Sequence, residues 1–576
     1  MTSLTKAPAM SIDAAVAHLL ATDPRFAVDP VRIRGVDYTA FSNIPPHTRA
    51  LLERAAEVQS ANGDPFLVFG EERYTYEEFC RRINVLSGVL SSRFGVEKGQ
   101  PVAIAMRNCP ELLMLMMAIT SMGAVAVFLN AWWTTEELDY AIQDSAARII
   151  FADGLRSERL APLVDQLDLD VIGVRDADTS GPLSFSGLMN GAQPFDEKVE
   201  IDTDDDMAIM YSSGTTGQPK GVVQTHRGAM NAVYTWLMQA EIAALVEPPE
   251  PDAPAPLRPS FLVVTPLFHV TATHPVFLLG IAAGAKLVVM EKWDADHAVE
   301  LIEREQITRL VGVPTQSADL MVAAARMNTS LNSLTFIGAG GAKRPAAQVP
   351  ELVARFPGAQ IATGWGMTET NANGIGLVGR EYHDRPNVAG RLYPPVQELR
   401  FLDDAGHEVS PGTVGELTVK SPCNMRCYLN KPEATAEVMQ GGWLRTGDLG
   451  SIDEYGVVTI SDRKKNIVIR GGENIACLDV EGAVHRHPAV AEACAFAVPD
   501  DRLGEVVGVG IVLKPGATLE PDTLRSFLGD HIARFKIPEH IWLLEGTLPR
   551  GTTDKLDRRA LRSMCLNKQA VGPEFT

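Results

Sequence analysis

The sequence has no basic arm, no closely spaced cysteine and histidine set, and no charged-then-apolar leader. Lysine and arginine number 52 against 72 acidic residues, a formal net charge of -20. That balance, without a basic arm or a zinc finger, argues against nucleic acid as a partner. It does not bar a single nucleotide, whose phosphates need only a few local donors and one magnesium ion. The seven cysteines, at 80, 109, 423, 427, 477, 494 and 565, are scattered and odd in number. They suit thiols in a reducing cytoplasm better than a disulfide frame. Cys423 and Cys427 stand four apart, the spacing of a ligand pair on a helix, but nothing nearby completes a zinc set. Residues 1–10 hold a single lysine and no apolar stretch, so no signal peptide is expected. The uncharged stretch 112–133 imitates a membrane span, yet its glycine at 123 and β-rich tail at 124–129 read better as a buried helix entering a buried strand. No transmembrane span is expected, and a homodimer is compatible with the sequence.

What the chain does have is glycine and hydroxyl in one place. Residues 207–210 form a short apolar run, and 222–225 offer a second strand before a helix near His226. Between them lie Ser212, Ser213, Gly214, Thr215, Thr216, Gly217, Lys220 and Gly221. Glycines let a backbone approach an anion, hydroxyls and amides donate to its oxygens, and a lysine supplies charge. The bland alternative is a Ser/Gly-rich surface turn, which needs far less. This is not a P-loop: Pro219 stands before Lys220 where that motif needs glycine, and Gly221 follows where it needs Ser or Thr.

The string Ser213-Gly-Thr-Thr-Gly-Gln-Pro-Lys-Gly221 resembles the signature of the adenylate-forming superfamily. Acyl- and aryl-CoA synthetases, peptide-synthetase adenylation domains and firefly-type luciferases make up that group. The resemblance implies a loop that holds the β- and γ-phosphates of ATP while a carboxylate attacks the α-phosphorus. It extends from about residue 64 to 561, with five separated motifs in family order.

At 576 residues and 45% hydrophobic, the chain is long enough for several domains. Residues 1–60 are weakly periodic and read as an N-terminal extension packed on the body. From residue 65, buried strands alternate with capped helices, which predicts an α/β body of mostly parallel layered sheets with helices on both faces. Residues 202–206 are acidic and read as a solvated turn. Past residue 386 the texture changes to short strands, a small β-rich subdomain to about 461. The boundary at 461–466 separates the adenylation domain, 61–461, from a small mobile α+β domain, 462–576.

Chemistry-bearing residues follow from the resemblance, position by position. Gly364-Trp-Gly-Met-Thr-Glu369 matches the family motif whose Thr-Glu pair serves magnesium. It implies Thr368 and Glu369 as catalytic, Glu369 as the metal ligand, and Gly364, Trp365, Gly366 and Met367 beside the nucleotide. Trp365 stands where many relatives have tyrosine; its ring can stack on adenine but carries no phenolic hydroxyl. Gly340, Gly341 and Ala342 match the adenine turn. Residues 443–448 resemble the ribose element, implying that Asp448, expected on a turn, accepts both ribose hydroxyls, with Arg463 a second contact. Lys465 matches the hinge about which relatives rotate the small domain, and Asn466 replaces a more usual acid. Gly471, Gly472 and Glu473 match the loop that admits a pantetheine arm. That loop continues with Ala476 and Cys477 where Tyr-Pro is usual, and Cys477 lacks an adjacent base.

Lys555 matches the lysine set between the α-phosphate and the attacking carboxylate, although Asp554 precedes it in place of glycine. Lys220 is the second catalytic cation. His269 is a gatekeeper or wall residue where a lone histidine would otherwise read as structural. Trp236, His269, Val270, Gly338 and Trp365 are the acid-pocket candidates, pointing to a medium-chain, branched, cyclic or aromatic acid. The implied function is an AMP-forming acyl-CoA ligase using ATP, Mg2+ and coenzyme A on a small carboxylic acid. A carrier-loading adenylation enzyme, a luciferase-like oxygenase and an idle binding module are the alternatives; no carrier-like segment follows residue 561.

Overall fold

The computed structural model describes residues 10–60, 63–178, 183–195, 197–212, 219–248, 255–470, 473–500, 502–532, 534–551 and 555–570. The body carries two large sheets. In the seven-stranded one, Val125–Phe128, Pro101–Ala105, Ile149–Ala152 and Asp170–Gly173 run parallel, and Asp206–Ser212 joins parallel to Val125–Phe128. Lys220–Thr225 then returns antiparallel, with Lys220 opposite Ser212. The chain thus leaves the sheet and re-enters it at the mouth of the phosphate loop. The uncharged stretch resolves as expected into helix Pro110–Ser121 and strand Val125–Phe128, both buried. No described helix is long and apolar enough to cross a membrane.

The second sheet begins with six parallel strands: Leu67–Phe69, Lys286–Val289, Ser260–Val263, Arg309–Gly312, Phe336–Ala339 and Gln360–Gly366. The ladder then turns antiparallel through Gly374–Val378, Gly390–Leu392, Val457–Arg463, Trp443–Ile452, Gly415–Lys420 and Glu398–Leu402. The β-rich stretch therefore continues the second sheet by unbroken hydrogen bonding. The small domain has its own five-stranded sheet around Val490–Asp500 and Gly504–Leu513, and its own apolar core.

The first 60 residues hold more structure than their weak periodicity suggested. Helix Ile12–Thr22, the hairpin Val28–Ile33 with Val36–Phe41, and helix Thr48–Gln59 bury Ala15, Leu19, Phe26, Phe41 and Leu51 in the body's largest core. Phe41 N–H donates to Asn231 Oδ1 at 3.0 Å, on the helix His226–Val246 that follows the phosphate strand. The acidic stretch 202–206 is not simply solvated. Lys98, Arg227 and Arg426 pair with Asp205, Asp204 and Asp206 at 2.7, 2.8 and 2.6 Å, because the turn is wedged between elements that supply cations. All seven cysteines are free. Cys423 is buried and its sulfur accepts from Asn373 Nδ2 at 3.2 Å, while Cys427 lies on a strand rather than a helix.

Candidate active site

Ser213, Gly214, Thr215, Thr216, Gly217, Gly471, Gly472 and Asp554 lie outside the described residues, as do the side chains of Lys465 and Glu473. The flanking residues locate the site. Asp448 sits inside the ten-residue strand Trp443–Ile452 and not on a turn. Ladders on both sides override the local preference of Thr-Gly-Asp, and Gly447, at φ 72, absorbs the kink a side chain would resist. The register sets Asp448 opposite Arg463, whose Nε lies 3.1 Å from Asp448 Oδ1. Trp365, near the end of strand Gln360–Gly366, donates its indole N–H to Asp448 Oδ2 at 2.8 Å.

The next residues form the single turn Thr368–Thr370, after Met367, which packs near Tyr428. Thr368 and Glu369 are buried. Glu369 Oε1 accepts from the Tyr428 hydroxyl at 2.9 Å and from Ser212 Oγ at 3.4 Å, which joins the turn to the edge of the phosphate loop. Burial, helped by this carboxylate, pushes the Tyr428 phenol well above its ordinary range, so it stays a donor. Lys220 Nζ stands 4.8 Å from the Tyr428 ring centroid. Gln224 Nε2 donates to the Thr368 carbonyl at 3.0 Å, and Met425 N–H to that of Glu369 at 2.7 Å. Behind the turn, His274 Nε2 meets Asn371 Oδ1 at 2.9 Å, and Asn371 donates to the Cys423 carbonyl at 2.7 Å. Burial brings His274 down to about 4, so it is a neutral strut. Sequence reasoning missed Tyr428 and Gln224, which lie outside the motifs and serve through partners far away in the chain.

Lys555 reaches this site from the small domain. A Cβ built on Gly341 would lie 2.9 Å from Lys555 Cε and 3.3 Å from Nζ, and Gly341 itself has φ +76. A side chain there would meet both backbone strain and the lysine. Burial, reinforced by Arg463, brings the Lys555 ammonium down to about 8, while Asp448 and Glu369 pull the other way. His269 precedes the short helical turn Val270–Ala272, and its Nδ1 accepts from Thr271 N–H at 3.4 Å. Burial, with Lys555 nearby, holds it down at about 3 and therefore neutral.

The remaining candidates are spread around this centre. Gly340 N–H donates to the Gly312 carbonyl at 3.0 Å, and Ala342 is exposed on the same turn. Gly364 and Gly366 flank Trp365 on its strand. Val270 is buried, and Trp236 is half-buried on helix His226–Val246. The space above Gly338 is taken by its own strand, since an added Cβ would lie 2.8 Å from the Phe336 ring. Cys477 is buried, which pushes its thiol far up and removes it as a nucleophile.

At the domain boundary, residues Lys464–Asn466 form one turn. Buried Asp462 accepts from Arg463 N–H at 2.7 Å, from Asn466 Nδ2 at 3.2 Å and from Leu478 N–H at 2.8 Å. Asn466 therefore has a partner of its own in Asp462. An acid there would set a second carboxylate against Asp462, whereas the amide donates to it.

Comparison with known proteins agrees with this arrangement. The chain matches the family model described as AMP-binding enzyme over residues 52–429 and that of the AMP-binding enzyme C-terminal domain over 479–555. It is 31% identical over 476 residues to a feruloyl-CoA synthase from Amycolatopsis sp, covering 82% of this chain and 90% of the relative. It is 30% identical over 512 residues to the 3-[(3aS,4S,7aS)-7a-methyl-1,5-dioxo-octahydro-1H-inden-4-yl]propanoyl:CoA ligase of Rhodococcus jostii (strain RHA1), covering 86% and 94%. Among solved structures, ATP-bound MatB from Rhodopseudomonas palustris superposes with a TM-score of 0.79 at 26% identity, covering 90% of this chain and 99% of that one. The o-succinylbenzoate CoA synthetase MenE from Bacillus subtilis, with its acyl-adenylate, gives 0.73 at 27%, covering 89% and 97%. With two domains meeting at one lysine, a buried carboxylate beside a phosphate strand and both family models matched in order, the chain belongs to the AMP-binding, adenylate-forming enzymes, in their acyl-CoA synthetase branch.

Proposed function

We propose that this ATP-dependent acyl-CoA ligase activates a medium-chain, branched, cyclic or aromatic acid. The observation that carries the residue roles is Lys555 lying against Gly341, within electrostatic reach of Asp448, Glu369 and His269. In the first step a carboxylate oxygen of the acid bonds to the α-phosphorus of ATP and pyrophosphate leaves. Lys555 steadies the charge gathering on the α-phosphoryl oxygens, and Lys220 with the phosphate-loop donors steadies the departing group. Neutral His269 lines the acid side without adding a charge beside the substrate carboxylate. In the second step the CoA sulfur, having lost its proton, bonds to the acyl carbon and AMP leaves.

Glu369 fits the role of a magnesium ligand. Both hydrogen bonds to its carboxylate among the described residues fall on Oε1, and those residues contain no group of three or more side chains that could hold a metal. Magnesium suits such a site, because it keeps most of its shell as water and phosphate oxygen. When bound there it would neutralise charge on the leaving pyrophosphate. The acid class draws support from relatives whose names specify feruloyl and indanyl-propanoyl groups. The test is incubation of the pure protein with ATP, magnesium, CoA and a graded acid panel, reading AMP and thioester. Best turnover on acetate, or on none of the aryl and cyclic acids, would overturn the substrate reading.

The lysine predicts a pH dependence. Lys555 is charged below about pH 8 and neutral above it. The kcat/KM for acid-dependent pyrophosphate exchange should therefore fall above pH 8 by about tenfold per unit. Lys555→Arg should flatten that limb, because guanidinium does not titrate there. A wild-type profile still level at pH 9.5 would contradict the role, 9.5 being about 1.5 units past the midpoint.

The hinge gives a second expectation. With rotation about Lys465 between the steps, Lys465→Pro should leave pyrophosphate exchange within about threefold but slow thioester formation from supplied acyl-adenylate about tenfold or more. Equal losses in both half-reactions would reject the hinge.

A further inference from the structure

We infer that the indole N–H of Trp365 is a positioning group for ribose recognition: it holds the Asp448 carboxylate so that one acceptor position on each oxygen faces the nucleotide's two ribose hydroxyls. The inference rests on the reading of this site as an ATP site and gives Trp365 a task separate from stacking. An ionised carboxylate offers about four acceptor positions. Trp365 Nε1 occupies one on Oδ2 at 2.8 Å, and Arg463 Nε approaches Oδ1 at 3.1 Å. The Arg463 contact is an ion pair and not a hydrogen bond, so at least one position per oxygen remains, which is what a vicinal diol needs.

The two donors are not equal anchors. The Arg463 side chain is 52% exposed, so its hold on Oδ1 is shared with water. Trp365 packs against the cluster containing Ile375 and Phe401, and its Cζ3 and Cε3 atoms crowd Gly374, where an added Cβ would lie 2.7 Å from Cε3. Gly374 thus leaves the room that this edge of the ring occupies, and the ring packs against the sheet's apolar cluster. Asp448 N–H is tied in turn to Thr446 Oγ1 at 3.1 Å, which steadies the backbone under the carboxylate. A phenylalanine at 365 keeps a stacking face and loses the donor. A tyrosine places its hydroxyl at the far end of the ring, away from the edge where the indole nitrogen sits.

The experiment compares ATP, 2′-deoxy-ATP, 3′-deoxy-ATP and inosine triphosphate in acid-dependent pyrophosphate exchange. Wild type, Trp365→Phe, Trp365→Tyr, Asp448→Asn and the double variant Trp365→Phe/Asp448→Asn are measured. Wild type should prefer ATP to each deoxynucleotide by about 30-fold or more, because an unpaired buried carboxylate penalises the missing hydroxyl. Trp365→Phe and Trp365→Tyr should each shrink that preference about fivefold, with the preference over inosine triphosphate held within about twofold. In the Asp448→Asn background, Trp365→Phe should change ribose discrimination no further, since the two residues act as one unit. Full ribose discrimination in whichever Trp365 variant folds, or additive losses in the double variant, would overturn the inference. Wild-type indifference to the ribose hydroxyls would overturn it together with the assignment of Asp448. Absence of any acid-dependent exchange in wild type would instead strike the reading of the site itself.

Discussion

Lys555→Ala should cut acid-dependent pyrophosphate exchange by about 10²- to 10³-fold, near 3–4 kcal/mol, the usual loss when one donor to developing charge is removed. Conversion of a supplied acyl-adenylate to thioester should survive, because rotation of the small domain about Lys465 would carry the lysine away before AMP departs. The asymmetry follows from position. The ammonium sits against Gly341 and in the field of Asp448 and Glu369. It belongs to the small domain, where the Lys555 carbonyl accepts from Gly551 N–H at 2.7 Å. A variant that loses both half-reactions equally would show that Lys555 holds the domains together and does not serve the first step alone.

Glu369→Gln should have the second large effect. The change is isosteric and keeps an oxygen for the Tyr428 hydroxyl, so the fold is expected to tolerate it. What disappears is the negative charge in a pocket that already holds Lys220 and Lys555. The magnesium concentration for half-maximal adenylation should rise by about 10- to 100-fold, a range that losing even an outer-shell partner can reach. Saturating magnesium should recover part of the rate. A titration that superposes on wild type would remove Glu369 as a ligand, whatever happens to the maximal rate.

Much of the site was readable in the sequence because its parts are local. The motifs marked Trp365, Glu369, Asp448 and Lys555, which the structure brings near one another, whereas the glycine- and hydroxyl-rich run 213–217 lies outside the described residues. Capping was equally plain: Thr75 and Thr134 accept from Glu78 and Glu137 as their spacing suggests. The contacts that make the residues act together were not readable. Trp365 to Asp448, Glu369 to Tyr428 and His274 to Asn371 each join residues far apart in sequence, brought together by strand register and packing. Asp448 was misplaced for the same reason, since the kink that makes a turn in isolation is taken up as an irregularity inside a strand paired on both sides. The N-terminal hairpin escaped because only one end of each strand is buried, which leaves little alternation to see.

That amino-terminal segment has a practical corollary. Phe41 bonds to Asn231, whose carbonyl accepts from Thr235 Oγ1 at 2.8 Å; Thr235 in turn lies 3.4 Å from Asn373 Nδ2, four residues past Glu369. Anyone trimming the protein to a minimal catalyst should treat the leading stretch as scaffolding for the metal-side loop. A cut at the apparent seam would bare a greasy helix flank and slacken the far end of that relay.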